Sequence, residues 1–132
     1  MTPLHTIQAL YDAFARRDAD AIRGLFHRDI EWIQNAGFPG GGRHVGADAV
    51  LNGVFAKFRV DWSAWQAPVT EWLDAGRTIV AIGEYRGTHK ETGKSMAAAF
   101  AHVYDVEDDR ITRFRQYTDT AVIRDAMTPD RL

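Results

Sequence analysis

The side chains best suited to chemistry lie in the last third of the chain, where His102 and Gln116 stand in two largely apolar stretches. Histidine changes its charge near neutral pH and can act as a general acid or base. Glutamine donates and accepts hydrogen bonds but does not carry a proton at ordinary pH. His102 is therefore the candidate for proton transfer, and Gln116 is a candidate for orienting a ligand. The competing interpretation of His102 is a core histidine bonded to a neighbouring side chain.

Strand periodicity is expected to bring these two residues together. Two strands joined by a turn are predicted at residues 96–106 and 110–119. Because side chains alternate between the faces of a strand, His102 shares a face with two aromatic residues, Phe100 and Tyr104. Gln116 shares a face of the second strand with Thr112, Phe114 and Thr118. The hairpin can thus hold an imidazole and an amide side by side among aromatic rings, a composition typical of a ligand pocket.

Further pocket candidates lie on the preceding elements. Tyr85 shares a strand face with Ala81 and Gly83, whose small side chains leave room for a ligand beside its hydroxyl group. Gln34 would orient a carbonyl or hydroxyl group, although a lone glutamine is more often an exposed or hydrogen-bonded residue. Five aromatic residues could line an apolar cavity, with ordinary core packing as the alternative: Trp32, Phe38, Phe55, Trp62 and Phe100.

Helices are predicted to precede the sheet that carries these residues. Thr2 and Pro3 begin a helix whose apolar residues recur at helical spacing as far as Phe14. A short second helix follows, and a third is predicted at residues 47–58 after a glycine-rich loop at 35–46. This loop lacks the spacing of a phosphate-binding motif and is interpreted as a lid or mouth loop.

The remaining strands complete an antiparallel meander, which after helices indicates an α+β fold. Pro68 has no N–H group to donate, so it predicts a bulge or an edge position. Asp119 is interpreted as a cap of the terminal turn. Residues 121–127 have a short helical pattern that Pro129 ends, and residues 121–132 as a whole are interpreted as a frayed tail or a dimer contact. The additional strands are predicted at residues 30–34, 61–73 and 77–87.

Composition bounds the class of protein. The 132 residues and 45% hydrophobic content favour one domain, residues 1–132, with a sizeable core. The interspersed charges, which sum to −2, disfavour nucleic acid and an anionic membrane as partners. Without cysteine, and without a metal-ligand spacing among the histidines, we expect no metal site. No signal or membrane-spanning pattern is present, so a cytoplasmic location is expected.

Three groups of residues resemble the SnoaL-like branch of the nuclear-transport-factor-2-like (NTF2-like) superfamily, which is related to ketosteroid isomerase. The first group is Tyr11-Asp-Ala-Phe with Asp18-Ala-Asp-Ala-Ile and Leu25-Phe. The second is Gly46-Ala-Asp-Ala-Val, and the third is Ala101-His-Val-Tyr-Asp-Val with Ile111, Phe114 and Tyr117-Thr-Asp-Thr. The resemblance implies a cone in which three N-terminal helices pack in a strongly curved, mixed or antiparallel β-sheet that encloses a pocket. It also implies a homodimer.

The resemblance carries over to the site only in part. His102 stands where SnoaL-like cyclases place a pocket histidine, but Gln116 stands about where they place an acid/base aspartate. The general base of ketosteroid isomerase falls at about Gln34, and its oxyanion tyrosine falls near Leu10 or Tyr11. Its pocket aspartate falls at Ala101 or His102. The resemblance therefore implies the pocket without reproducing the carboxylate machinery.

The leading hypothesis is a small-molecule-binding SnoaL-like protein without a cofactor. As an enzyme it would act by proton transfer on an apolar carbonyl compound, as an isomerase, cyclase or dehydratase, with His102 as the acid/base. A ligand would contact seven further residues: Tyr85, Gln116, Gln34, Trp32, Phe100, Phe55 and Tyr11. The alternative, favoured by the missing aspartates, is a non-catalytic ligand-binding or accessory dimerisation domain.

Overall fold

The first helix begins as predicted. In the computed structural model, which describes residues 1–130, the hydroxyl group of Thr2 accepts a hydrogen bond from the backbone N–H of His5, and Pro3 occupies the first helical turn. Helix α1 (Pro3–Ala15) buries Ile7, Leu10 and Ala13. Helix α2 (Ala19–Leu25) follows, with Asp18 accepting from the N–H of Ala21. The two helices form a helical hairpin, and the short second helix is as predicted.

The third helix is continuous from Ala47 to Asp61 but changes its winding. It consists of α3 (Ala47–Val50), a π-helical turn (Leu51–Phe55) and α4 (Ala56–Asp61). In the wide turn the N–H of Ala56 bonds the carbonyl group of Leu51. The predicted helix at 47–58 is therefore confirmed and is three residues longer. Single π-helical turns are frequent at functional sites, and Phe55, at the end of this one, contributes to the cavity described below.

Seven strands form one curved sheet in the order β2-β1-β7-β6-β5-β3, with β4 also paired to β5. Strands β1 and β7 are parallel, and every other pair is antiparallel. The expected α+β cone with a mixed sheet is confirmed. The strands are β1 (Phe26–Gln34), β2 (Gly42–Val45), β3 (Trp62–Gln66), β4 (Val69–Ala75), β5 (Thr78–His89), β6 (Ser95–Glu107) and β7 (Arg110–Thr118).

Two sequence predictions for the sheet were incomplete. The glycine-rich loop contains β2, which pairs with β1, so the predicted loop is partly a strand. The predicted strand at 61–73 is divided at Pro68 into β3 and β4, both of which pair with β5. The carbonyl group of Pro68 accepts a hydrogen bond from Glu84. It approaches Gly83 so closely that an added Cβ would lie 2.1 Å from its oxygen. The space expected beside Tyr85 is therefore filled partly by this backbone.

The carboxyl-terminal hairpin is confirmed, and β6 pairs His102 directly with Gln116 of β7. Asp119 caps helix α5 (Thr120–Met127) by accepting from the N–H of Val122, as predicted. The expectation of a frayed tail was wrong for this helix, because Ile123 and Ala126 are buried against the sheet. The last two residues of that predicted tail, 131 and 132, lie outside the described residues. Within residues 1–130, no helix has the length and apolar character to cross a membrane.

Candidate functional site

A buried chain of hydrogen bonds lies between helix α1 and the inner face of the sheet. At its centre, Nδ1 of His102 lies 2.5 Å from the hydroxyl oxygen of Tyr11, and Nε2 lies 2.5 Å from that of Tyr85. The hydroxyl group of Tyr104 donates to Tyr11 over 2.8 Å. The side-chain N–H of Gln116 donates to the Tyr85 oxygen over 2.8 Å. Both imidazole nitrogens are therefore bonded to tyrosine hydroxyl groups.

Strand alternation and one helical residue assemble this chain. Tyr85 of β5 and the pair His102 and Tyr104 of β6 project from buried positions of their strands. Tyr11 reaches them from α1, and its ring lies nearly parallel to the imidazole at a centroid distance of 6.0 Å. The Oε1 atom of Gln116 accepts the backbone N–H of Asn35 over 3.3 Å. This contact orients the amide so that its NH₂ group faces Tyr85.

Burial keeps the site uncharged. Desolvation lowers the pKa of the His102 imidazole to about 3, because the buried imidazolium would lose its hydration. Desolvation likewise raises the pKa of the Tyr11, Tyr85 and Tyr104 hydroxyl groups well above their ordinary value, and the hydrogen bond from Gln116 only partly offsets this at Tyr85. The imidazole and all three phenols are neutral at neutral pH.

The neutral chain has one proton more than its internal bonds use. Three hydroxyl groups and one imidazole N–H supply four protons, since a neutral imidazole carries one. They have three links to make: Tyr104 to Tyr11, Tyr11 to His102, and His102 to Tyr85. Whichever tautomer His102 adopts, one tyrosine O–H has no acceptor inside the chain. The site therefore offers one hydroxyl donor to a ligand.

Two connected spaces lead to this donor. The inner cavity, about 40 Å³, is enclosed mainly by aromatic side chains and includes Tyr11, Tyr85, His102 and Tyr104 in its wall. The outer groove, about 760 Å³, lies between α1, α4 and the β3–β4 segment. Both spaces share six residues: Tyr11, Phe14, Phe55, Phe58, Trp65 and Ala67. The inner cavity has room for the tip of a ligand, and the groove has room for its body.

The structure brings six of the eight predicted site residues to the inner cavity and leaves two behind its wall. The six are His102, Tyr85, Gln34, Trp32, Phe55 and Tyr11. Phe100 and Gln116 do not line it. Phe100 stacks on the His102 ring at a centroid distance of 3.9 Å, and Gln116 bonds Tyr85. In this arrangement these two residues position the imidazole and the phenol, and they do not face the space that a ligand would occupy.

Polar atoms without partners add to the donor character of the inner cavity. Gln34 is buried and places an amide in the wall of the cavity. The indole N–H groups of Trp32 and Trp65, two further wall residues, have no hydrogen-bond partner within the same part of the chain. Among residues 1–130, no Asp or Glu lines the inner cavity. A ligand that fits this environment carries oxygen acceptors on an apolar frame.

Seven residues that line the inner cavity were not among the predicted site residues: Leu10, Phe14, Phe58, Trp65, Ala67, Tyr104 and Phe114. Tyr104 shares a strand face with His102, so the alternation already carried the signal for it. Trp65 and Phe58 were harder to find, because the break at Pro68 and the continuation of the third helix decide which way they face. Their rings stack at a centroid distance of 4.4 Å and line both the groove and the cavity. Over residues 1–130 no group of three or more potential metal ligands is present.

Comparisons with known proteins agree with this architecture. The SnoaL-like domain model matches residues 7–114. An NTF2-like protein from Burkholderia thailandensis E264 is 35% identical with a TM-score of 0.94, covering 98% of this chain and 99% of the other. An NTF2-like protein of unknown function from Burkholderia pseudomallei K96243 is 26% identical, with a TM-score of 0.87 and coverages of 96% and 97%. No curated protein matches the chain.

A third solved structure is that of TerC, co-crystallised with polyporic acid. It is 23% identical, with a TM-score of 0.85, and covers 95% of this chain and 97% of the other. At this identity the likeness concerns the fold. It shows that a chain folded in this way can be crystallised with an organic ligand.

Proposed function

We propose a function on the premise that the chain belongs to the SnoaL-like domain family, as the match to residues 7–114 shows. The protein binds a small, mainly apolar carbonyl compound whose oxygen enters the inner cavity and accepts a hydrogen bond from Tyr11 or Tyr85. The observation that carries this proposal is the surplus hydroxyl proton of the His102 chain. A buried donor without a partner is costly, and a carbonyl oxygen satisfies it.

The same chain can move a proton without creating a charge. In one tautomer Nδ1–H of His102 donates to Tyr11 and Nε2 accepts from Tyr85. Tyr11 then gives its O–H proton to the ligand oxygen and takes the Nδ1 proton. Nε2 takes the proton of Tyr85, and Tyr85 takes an acidic proton from the ligand. The ligand gains one proton and loses another, which is an isomerisation, and His102 ends in its other tautomer.

This relay has to be concerted, because the raised tyrosine pKa values and the lowered histidine pKa disfavour every charged intermediate. His102 therefore acts as the acid/base at the centre of the relay, and the two phenols contact the ligand. Gln34 and the aromatic wall orient it, while Gln116 and Phe100 fix Tyr85 and His102 from behind. The chemistry of this proposal needs no cofactor.

Ligand binding without turnover is the second candidate function. It is favoured by the absence of a carboxylate from the inner wall and by a His102 pKa of about 3, which makes the imidazole a weak base. In this case the hydrogen-bond chain serves only to select a ligand that carries an oxygen acceptor.

A matched pair of probes tests the binding proposal. We expect 4-acetylbiphenyl to bind more tightly than 4-ethylbiphenyl, measured by quenching of tryptophan fluorescence, because only the ketone accepts the surplus proton. The preference should fall several-fold in the double variant Tyr11→Phe/Tyr85→Phe, which removes both hydroxyl groups that can donate to the ligand, whereas each single variant keeps one of them. Tyr117→Phe, at an exposed position of β7, is the control and should preserve it. Equal binding of both probes to the wild-type protein would refute the proposal.

Isotope exchange separates the enzyme from the binding protein. We expect deuterium from D₂O to enter the methyl group of bound 4-acetylbiphenyl faster with the wild-type protein than with His102→Gln, followed by NMR. Binding without protein-dependent exchange would support the second candidate. The expected homodimer stays a prediction, and light scattering coupled to size-exclusion chromatography measures it.

A further inference from the structure

The outer groove carries an excess of positive charge at its rim. Three of its lining residues are cations, Arg17, Arg59 and Lys90, and a single carboxylate, that of Asp12, accompanies them. The groove therefore has a local charge of +2 at neutral pH, whereas the whole chain has a net charge of −2. Because the charge of the rim is opposite in sign to the net charge of the protein, the net charge does not explain the positive rim.

The backbone holds two of these cations together at the end of helix α4. The backbone N–H of Lys90 donates to the carbonyl group of Asp61 over 2.9 Å. Its Nζ donates to the carbonyl group of Arg59 over 2.7 Å. An ammonium group has three N–H donors, so this contact leaves two of them for a ligand. Lys90 is thus fixed beside Arg59 and remains exposed.

The third cation lies just beyond the helix that supplies Tyr11. Arg17 follows the end of α1 with a left-handed backbone, at φ 57°. No residue within 1–130 forms an ion pair with the side chain of Arg17, Arg59 or Lys90. By contrast, the neighbouring Arg16 pairs with Asp18. The rim cations are consequently available to an anion that lies in the groove.

We propose that the groove binds the anionic end of the ligand, so that the substrate class is an apolar carbonyl compound that also bears a carboxylate. The inference rests on the proposed function, since it assumes that the carbonyl end occupies the inner cavity. The ligand body lies against Phe58 and Trp65, which line both spaces, and its carboxylate reaches the three rim cations. The outer groove is wide enough at about 760 Å³, whereas the inner cavity of about 40 Å³ admits only the carbonyl end.

Probes that differ at one end only test this assignment. The carboxylate probe is 4'-acetylbiphenyl-4-carboxylate, and the neutral probe is 4-acetylbiphenyl. In the groove variant, Arg17, Arg59 and Lys90 are all replaced by glutamine. The control variant has the same change in net charge at exposed cations outside the groove: Arg28→Gln, Arg110→Gln and Arg124→Gln.

We expect the groove variant to lose about tenfold in affinity for the carboxylate probe at low salt, since each exposed ion pair contributes only a modest factor. Its affinity for the neutral probe should change by less than about twofold. Raising the salt concentration should reduce the wild-type affinity for the carboxylate probe toward that of the groove variant. The control variant should bind both probes as the wild-type protein does.

Three outcomes would overturn the assignment: an undiminished affinity of the groove variant for the carboxylate probe, an equal loss in both variants, or no binding of that probe to the wild-type protein. Failure of the proposed function has a different signature, in which 4-acetylbiphenyl binds no better than 4-ethylbiphenyl. The comparison of the two variants with the carboxylate probe still decides the anion site in that case.

Discussion

The neutrality of His102 has a direct consequence for the pH dependence of stability. Its ordinary pKa is 6.5, and burial lowers it to about 3 in the folded protein. Below pH 6.5 the unfolded chain binds a proton on this imidazole, whereas the folded protein does not bind one until the pH approaches 3. The contribution of the neutral, buried imidazole to the stability of the folded protein is therefore fully present above pH 6.5 and is lost as the pH falls toward 3.

The magnitude follows from the size of the shift. One pKa unit corresponds to about 1.4 kcal/mol, so the whole shift corresponds to about 5 kcal/mol between pH 6.5 and 3. Between pH 7 and pH 5 the expected loss is about 2 kcal/mol. His102→Gln removes this titration while keeping a polar side chain. When the pH is lowered from 7 to 5, the free energy of unfolding of His102→Gln should therefore fall by about 2 kcal/mol less than that of the wild-type protein.

Urea denaturation at pH 7, 6 and 5 measures this difference for both proteins. Only the slopes are compared, so a general loss of stability in His102→Gln does not affect the test. Leu73→Gln, at an exposed position of β4 that carries no titratable group, is the control and should leave the wild-type slope unchanged. Parallel profiles for the wild-type protein and His102→Gln would refute the reasoning from burial. An NMR titration that places the His102 pKa near 6.5 would refute it as well.

Two substitutions test the packing around the site by urea denaturation. Tyr85→Phe leaves buried partners unbonded and should lower the free energy of unfolding by about 1 to 3 kcal/mol, while Tyr117→Phe, on the exposed side, should change it by less than about 0.5 kcal/mol. Gly83→Ala places a Cβ 2.1 Å from the Pro68 oxygen and should cost about 1 to 3 kcal/mol, whereas Gly24→Ala has no atom within 4 Å and should be neutral or stabilising. Equal effects within either pair would contradict the corresponding contact.

Local rules predicted the hairpin and the helices because local interactions determine them. The alternation of apolar residues places His102 opposite Gln116, and Thr2 and Asp119 cap their helices as their side chains suggest. The division of the predicted strand at Pro68 was harder to predict from local rules. It depends on the approach of that carbonyl group to Gly83, a contact between segments that no periodicity within either one reveals.

The hydrogen-bond chain illustrates the same limit at the site. Sequence spacing indicated His102 and Tyr85 separately, and the family resemblance left Leu10 and Tyr11 open. In the structure the Tyr11 hydroxyl bonds Nδ1 of His102, whereas the buried side chain of Leu10 has no polar atom to offer. A helix that crosses a curved sheet brings these atoms together, and the crossing is set by packing across the core.

The lack of charge on the Gln116 side chain affects the protonation of His102. A carboxylate in its place would lie beside Tyr85 and would favour a charged imidazole at His102, since an opposite charge nearby raises the pKa of histidine. Gln116 instead donates to the Tyr85 oxygen and carries no charge. That bond directs the Tyr85 proton toward His102 or the cavity, and the chain stays neutral with one O–H in surplus. A neutral glutamine at this position is therefore consistent with a neutral relay in a deeply buried site.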